Sequence, residues 1–429
     1  MYLNNYSTIK LNDLVQIERK NIKPQKYSNL KFEHYSLPAF DNDRKPEISF
    51  GEEIKSVKYI VPCEAILFSK LNLRFKRVWK VKNIKLEETK VCSSEFFPVV
   101  IKDKEKVNID YLYYILISDN FISDLQKSSS GTSGSHQRIS VDYFLNKEIR
   151  LPSIEIQNEI SKILLSIDKK IEINNKINRK LEEMAQAIFK QWFVDFEFPN
   201  EYGKPYKSSG GEMVESELGI IPKGWEVKTI GDLANVVSKG TTPRKSDIDN
   251  ALDENSIKFI KVKDISDDGI IDLTNIEYIP KSVHINQLKR SILAYKDILL
   301  SIAGTIGRVS YVDEEVKNSN INQAVAFIRL TDINMYFLLV FYKFKSNDFQ
   351  NSIQSKVVQG VQANISLTVI KNEKIIIPDN GMVDRYNRIV NSIFNKKDIV
   401  NKENNRLKSI RDELLPKLMS GEIRVTLDK

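Results

Sequence analysis

From Ile154 to Gln191 the chain runs without a glycine or a proline, and its apolar side chains recur at heptad spacing. Taken inward, that period selects Ile160, Ile163, Ile167, Lys170, Asn174, Ile177, Leu181, Met184 and Ile188, seven of nine apolar. The pattern predicts a coiled-coil helix. At a rise of about 1.5 Å per residue it would extend about 57 Å. A stripe of that length needs a partner, and the same chain supplies one. When the sequence is shifted to lay Ile160 on Tyr386, the same nine places hold Tyr386, Ile389, Ile393, Lys396, Val400, Glu403, Leu407, Ile410 and Leu414, again seven apolar.

The same shift reaches back before the helices. Gly134 falls on Gly360, Ile139 and Ser140 on Ile365 and Ser366, Asn146 on Asn372, and Pro152 on Pro378. Ahead of each helix lies a mixed segment. In the first, β-type runs at 58–61, 65–68 and 96–101 precede a helical pattern at 109–125 and a Gly/Ser-rich loop at 128–138. In the second, Ile298, Leu299 and Ser301 repeat Ile66, Leu67 and Ser69 at a slightly larger shift. Drifting offsets inside the segments and a fixed one over the helices indicate a tandem duplication in which loops differ and the scaffold does not. The expected fold class is α+β: two similar mixed domains, residues 1–153 and 221–378, with long antiparallel helices at 154–199 and 379–429 and a polar connector at 200–220. Each buried isoleucine contributes about 1.5 to 3 kcal/mol, enough to outweigh the Lys layers.

Composition narrows the classes. No apolar run approaches the ~18 residues of a membrane span, and residues 1–15 lack the order of a signal peptide, so an intracellular, cytoplasmic protein is expected. Two cysteines, Cys63 and Cys92, and three histidines are too few and too scattered for a zinc site and are expected to be reduced core thiols and ordinary imidazoles. A net charge of +8 is compatible with nucleic acid but common among soluble proteins. A rigid separator between two basic domains suits duplex DNA, one turn of which is about 34 Å. It equally suits a scaffold holding two proteins apart.

Catalytic signatures are missing from the sequence. No phosphate-binding loop, adenosylmethionine loop, amino-methyltransferase motif or G-x-S-x-G elbow occurs. Glu53 and Lys55, with Glu47 upstream, have the E-x-K shape of some metal-dependent nucleases, a triplet frequent by chance in a Glu- and Lys-rich chain. The organised features point to binding.

Three stretches carry a specific resemblance. Residues 181–196 (LEEMAQAIFKQWFVDF), 217–226 (ELGIIPKGWE) and 411–423 (RDELLPKLMSGEI) resemble the central, second-domain and C-terminal motifs of the specificity subunits of bacterial type I restriction-modification systems. Lys239 to Lys245 (KGTTPRK) resembles the Gly-Thr-Pro turn of their target-recognition domains, whereas Asn21 to Pro24 departs from it. The resemblance implies a non-catalytic, sequence-specific DNA-binding subunit that reads a bipartite site, one half per recognition domain. It implies two modification subunits as partners, which bring adenosylmethionine and methylate adenine at N6. It further implies two restriction subunits that use ATP and Mg, with no cofactor in this chain.

The residues expected to meet double-stranded DNA lie in polar loops that combine tight turns with phosphate and base-edge donors. In the first domain these are Lys70, Arg74, Lys76, Arg77, Thr132, Ser133, His136, Gln137 and Arg138. In the second they are Lys239, Thr241, Thr242, Arg244, Lys245, Gly304, Thr305, Arg308, Gln359, Gln362 and Asn364. Two clusters at the helix ends stand where the resemblance puts modification-subunit contacts: Phe189, Trp192, Phe193 and Phe196, and Leu414, Leu415, Leu418 and Met419. Packing of the helices onto their own domains would use the same side chains.

Overall fold

Two helices far longer than any others, Ile154–Phe193 and Asn380–Ser420, stand out in a computed structural model that describes residues 6–42, 44–82, 89–127, 138–248, 254–355 and 364–427. Their first residues, Ile154 and Asn380, are separated by the same shift that lays Ile160 on Tyr386. The chain divides into two compact units, Met1–Asn174 with Lys402–Lys429, and Asn175–Asn401. Each unit therefore holds one half of each long helix.

Within each unit the two halves pack antiparallel. In the first, the Arg411 guanidinium donates to Asp168 at 3.0 Å and the Asn174 amide to Glu403 at 2.9 Å. In the second, Asn178 donates to Asn401 at 2.6 Å, and the Trp192 and Tyr386 rings lie 5.9 Å apart. The seam differs from the expected one at alternate positions. Ile160 and Asn174 are buried as anticipated, but Ile163 and Met184 are 38% and 52% exposed while Leu164 and Ala185 are fully buried. The inward set is Ile160, Leu164, Ile171, Asn174, Asn178, Ala185 and Trp192, repeated in the second helix by buried Tyr386, Val390, Val400, Asn404 and Leu418. A one-residue step turns a side chain by about 100° around the helix. Ile163 and Leu164 are equally apolar, so sequence could not choose between them; Leu164 is taken into the core that the first unit's sheet and short helices share with the long helices.

The globular part of the first unit is built on a four-stranded antiparallel sheet in the order Val15–Ile17, Phe96–Ile101, Glu64–Ser69, Val78–Lys82. The second unit repeats it as Ala234–Lys239, Val325–Leu330, Ile298–Ser301, Val309–Tyr311. The central strands are continuously apolar because both their faces are covered. Ile66 and Phe68 face a core shared with the helices and Ile160, whereas Ala65 and Leu67 face a core shared with Tyr35, Phe40 and Trp79. Ile298 and Leu300, against Leu299, divide in the same way.

A second sheet contains one parallel pair in each unit, Lys31–Tyr35 with Thr89–Ser93, and Ile257–Ile260 with Asn320–Ile321. It has five strands in the first unit and three in the second, so here the copies have diverged. A two-stranded ribbon completes each unit, Ser7–Lys10 with Glu148–Leu151 and Glu226–Thr229 with Lys374–Ile377. The short helices that follow the sheets are capped alike. Ser140 and Ser366 accept the Tyr143 and Val369 amides, and Asn108 and Asp332 cap Ile109–Ile117 and Ile333–Lys345.

Residues 200–220, read from sequence as a connector, carry a hairpin of Met213–Ser216 with Gly219–Pro222. Cys92 is buried, and burial pushes its thiol up to about 12; Cys63 is exposed, so only one of the two is a core thiol. Among the described residues no helix is long and apolar enough to cross a membrane.

Candidate nucleic-acid interface

In an antiparallel sheet the strand ends and starts at one edge bring distant loops together, and here that edge gathers the candidate residues. In the second unit, Lys239 ends its strand and the Gly240 amide donates to the Val325 carbonyl at 3.1 Å. A Cβ on Gly240 would stand 1.8 Å from the Ile321 carbonyl oxygen, so only glycine fits this approach. Thr242 hydrogen-bonds through its hydroxyl to Gln323, a residue the sequence reading passed over. Beside it, Ile302 donates to Ala324 at 2.8 Å and Ala303 bridges to Asn364. Gly304 and Gly307 take φ of 73° and 95°. Lys239, Thr241, Thr242, Arg244, Lys245, Gly304, Thr305 and Asn364 are exposed, and Lys239, Arg244 and Lys245 make no ion pair among the described residues.

The first unit forms the same edge. Lys70 donates its amide to Glu95 at 3.0 Å and accepts from Ile139 at 3.1 Å, while Leu71 bridges to Arg138. Arg138 and Asn364 thus occupy equivalent places. The charges differ, because most of the cations here already have partners. Arg138 holds Glu95 at 2.9 and 3.0 Å, and this hydrogen bond keeps the Glu95 carboxyl below its usual range against the opposing effect of burial. Lys76 pairs with Asp119, and Arg77 makes a two-point contact with Asp41 at 2.7 and 2.6 Å. The Arg74 and Arg77 guanidiniums lie 4.8 and 4.5 Å from the Phe75 ring. In the second unit Arg308 is likewise held, its Nε donating to Asp267 at 2.6 Å and its Nη1 to the Val262 carbonyl at 3.2 Å. Thr132, Ser133, His136, Gln137, Gln359 and Gln362 lie outside the described residues.

The aromatic cluster turns inward. Phe189, Trp192, Phe193 and Phe196 are buried in the core of the second unit, where Phe193 lies edge-on to Tyr386 at 4.8 Å. Leu415 and Leu418 are buried in the first unit's core, with Leu414 and Met419 packed against it. The apolar side chains open to solvent on the long helices are instead Ile163, Ile173, Ile177 and Met184, and Ile389, Ile399 and Ile410. The E-x-K triplet is used locally: Glu53 accepts the Phe50 amide at 2.7 Å and Lys55 donates to the Glu52 carbonyl at 2.9 Å. No group of acidic, His and Cys residues that could hold a metal occurs among the described residues.

Fold and loop edges together define a duplicated protein, in which each unit mounts one copy of a sheet-and-loop module on its own halves of the two long helices. A family model described as the type I restriction modification DNA specificity domain matches residues 4–183 and 222–409, and the chain belongs to that family. Subunits of this family recognise DNA, and catalysis lies on their partner subunits. The chain is 27% identical over 382 residues to the specificity subunit of the type I restriction enzyme HindI of Haemophilus influenzae, covering 78% of this chain and 81% of that one. It is 28% identical over 392 residues to the MjaIX specificity subunit of Methanocaldococcus jannaschii, covering 88% and 83%. The crystal structure of a type I restriction-modification S subunit from M. genitalium shares the fold, with a TM-score of 0.53 at 15% identity over 97% of this chain and 98% of that one.

Proposed function

We propose that the chain reads a bipartite duplex site, each recognition module taking one half and the helix pair fixing the gap between them. The bound chain directs adenine-N6 methylation by two modification subunits and cleavage by two restriction subunits. Adenosylmethionine, ATP and Mg belong to those partners. The observation that carries this reading is the duplicated loop edge, with Leu71 bridged to Arg138 in one module and Ala303 to Asn364 in the other. Two copies of one reading edge on one chain suit a site with two halves. Docking of the modification subunits is assigned to the exposed apolar side chains of the long helices, Ile163, Ile173 and Ile410 in one unit and Met184, Ile389 and Ile399 in the other, because the aromatic cluster is already enclosed. Co-expression with the neighbouring modification subunit, followed by single-molecule mapping of N6-methyladenine, tests the proposal. A split motif methylated once on each strand across a fixed gap is expected. A stable, adenosylmethionine-binding complex that adds no methylation would favour a protein scaffold instead.

A further inference from the structure

Two arginines of the hairpins beside the candidate edge, Arg77 and Arg308, occupy equivalent places in the repeat. Each precedes the last strand of its four-stranded sheet, and its carbonyl accepts the amide of Ser69 or Ser301 at 2.9 Å. The hairpins differ slightly in length, yet a left-handed residue stands at the same point in both, Asn72 at φ 52° and Gly304 at φ 73°. Their partners are equivalent too. The shift that lays Ile154 on Asn380 also lays Asp41 on Asp267, and each aspartate follows the strand that forms the parallel pair of the second sheet. The surroundings have otherwise diverged, with a helix Leu37–Asp41 in one unit and a turn closed by Gly269 donating to Ser266 in the other. Sheets of different size and hairpins of different length thus keep one carboxylate–guanidinium pair.

The pair has the geometry of a tether. The arginine side chains are only 13% and 21% exposed, against 48% and 70% for the carboxylates, so the arginines are the more enclosed partners of each pair. A planar guanidinium bound at two points fixes orientation as well as distance. In the second unit the contact is reinforced from both sides. Arg308 also holds the Val262 carbonyl, and Ser310, just beyond the hairpin, donates to the Gly269 carbonyl at 2.7 Å. A cation neutralised in this way is poorly placed to recruit a phosphate.

We propose that Arg77 and Arg308 are positioning residues, which through Asp41 and Asp267 lock the hairpins 69–78 and 301–309 onto the second sheet in the conformation that reads DNA. The proposal rests on the DNA-recognition reading for its consequence, but the tether itself is testable without DNA. The full chain, in complex with its modification subunit, is prepared as wild type, Asp267→Asn, Arg308→Gln and the reversed pair Asp267→Arg with Arg308→Asp. Hydrogen–deuterium exchange without DNA should show the amides of Gly307 and Arg308 exchanging at least tenfold faster in both single variants and protected again in the reversed pair. Anisotropy titrations on duplexes altered in either half-site should show both single variants losing at least tenfold of their discrimination at the same half-site. Discrimination at the other half-site is retained and reports a folded protein. The salt slope should stay within the ~0.9 log unit that one phosphate contact carries. The tether is overturned if Arg308→Gln lowers that slope by a full contact while Asp267→Asn tightens binding, the signature of a direct phosphate contact. Unchanged exchange in both single variants overturns it as well. If the wild type discriminates no duplex at all, the DNA reading fails, and the exchange result still decides the tether.

Discussion

Glu182, on the first long helix, is the anion of a buried cluster whose removal has a calculable effect. Its carboxylate accepts from Lys345 at 2.9 Å, at the end of a recognition-module helix, and from Lys397 on the second long helix. The three side chains are 17%, 9% and 13% exposed. Burial alone would raise the Glu182 carboxyl, but the two lysines overcome it and hold it at about 2, in place of the ordinary 4.5. That difference favours the charged form by ~3 kcal/mol. Burial followed by Lys397 pushes Lys345 down even with Glu182 present, so part of the gain is offset at the lysine. Glu182→Gln leaves two ammonium groups facing each other in a dry site, and breaking a buried pair costs about 3 to 5 kcal/mol. The offset at Lys345 puts the expected loss at the lower end, ~3 kcal/mol at pH 7.

The assay is urea unfolding followed by tryptophan fluorescence in a Trp79→Phe background, which leaves only Trp192 and Trp225, both in the core of the second unit. Because the folded-state pKa is depressed, the contribution is complete above pH 4.5 and disappears as the pH falls toward 2. The gap between wild type and Glu182→Gln should therefore narrow over that window. Replacing Glu182, Lys345 and Lys397 together by methionine should restore most of the stability, since a well-packed apolar set substitutes for a buried ionic one. A loss below ~0.5 kcal/mol at pH 7, within the scatter of surface substitutions, would refute the reasoning. So would a gap that ignores pH.

Gly240→Ala places a Cβ 1.8 Å from the Ile321 carbonyl and must displace the 239–245 loop; binding should fall at least tenfold for duplexes that depend on the second half-site, read by anisotropy, with the first half-site unaffected. Ile163→Glu and Ile389→Glu alter exposed positions, so the unfolding midpoint should shift by no more than ~0.5 kcal/mol, while co-purification of the modification subunit is lost. Ser366→Ala removes the acceptor of the Val369 amide and should destabilise the second unit by ~1 kcal/mol, with Ser366→Asp restoring most of it in the same urea assay.

Much of the architecture was legible along the chain because duplication writes each signal twice. The constant offset that pairs Ile160 with Tyr386 located both long helices and aligned Ser140 with Ser366, whose role as caps only the structure shows. The candidate edge was partly legible. Turn residues mark Lys239–Lys245 and Gly304, but nothing local shows that Asn364 bridges to Ala303 or that Thr242 meets Gln323, contacts between segments far apart in the chain. Those pairings exist because antiparallel strands bring their ends to one edge.

What the sequence determined by itself is therefore periodic and local: the long helices, the strand-forming apolar runs and the fact of repetition, each fixed by spacing along the chain. The tertiary structure decided which face of each periodic element is inward. It buried Leu164 rather than Ile163, and it enclosed the Trp192 cluster against Tyr386 and Trp225. It gave Arg77 and Arg308 to carboxylates rather than to solvent. The physical reason is common to all of these: hydrophobicity and charge say that a side chain needs a partner, but only the approach of a second segment settles which of several equivalent side chains meets one.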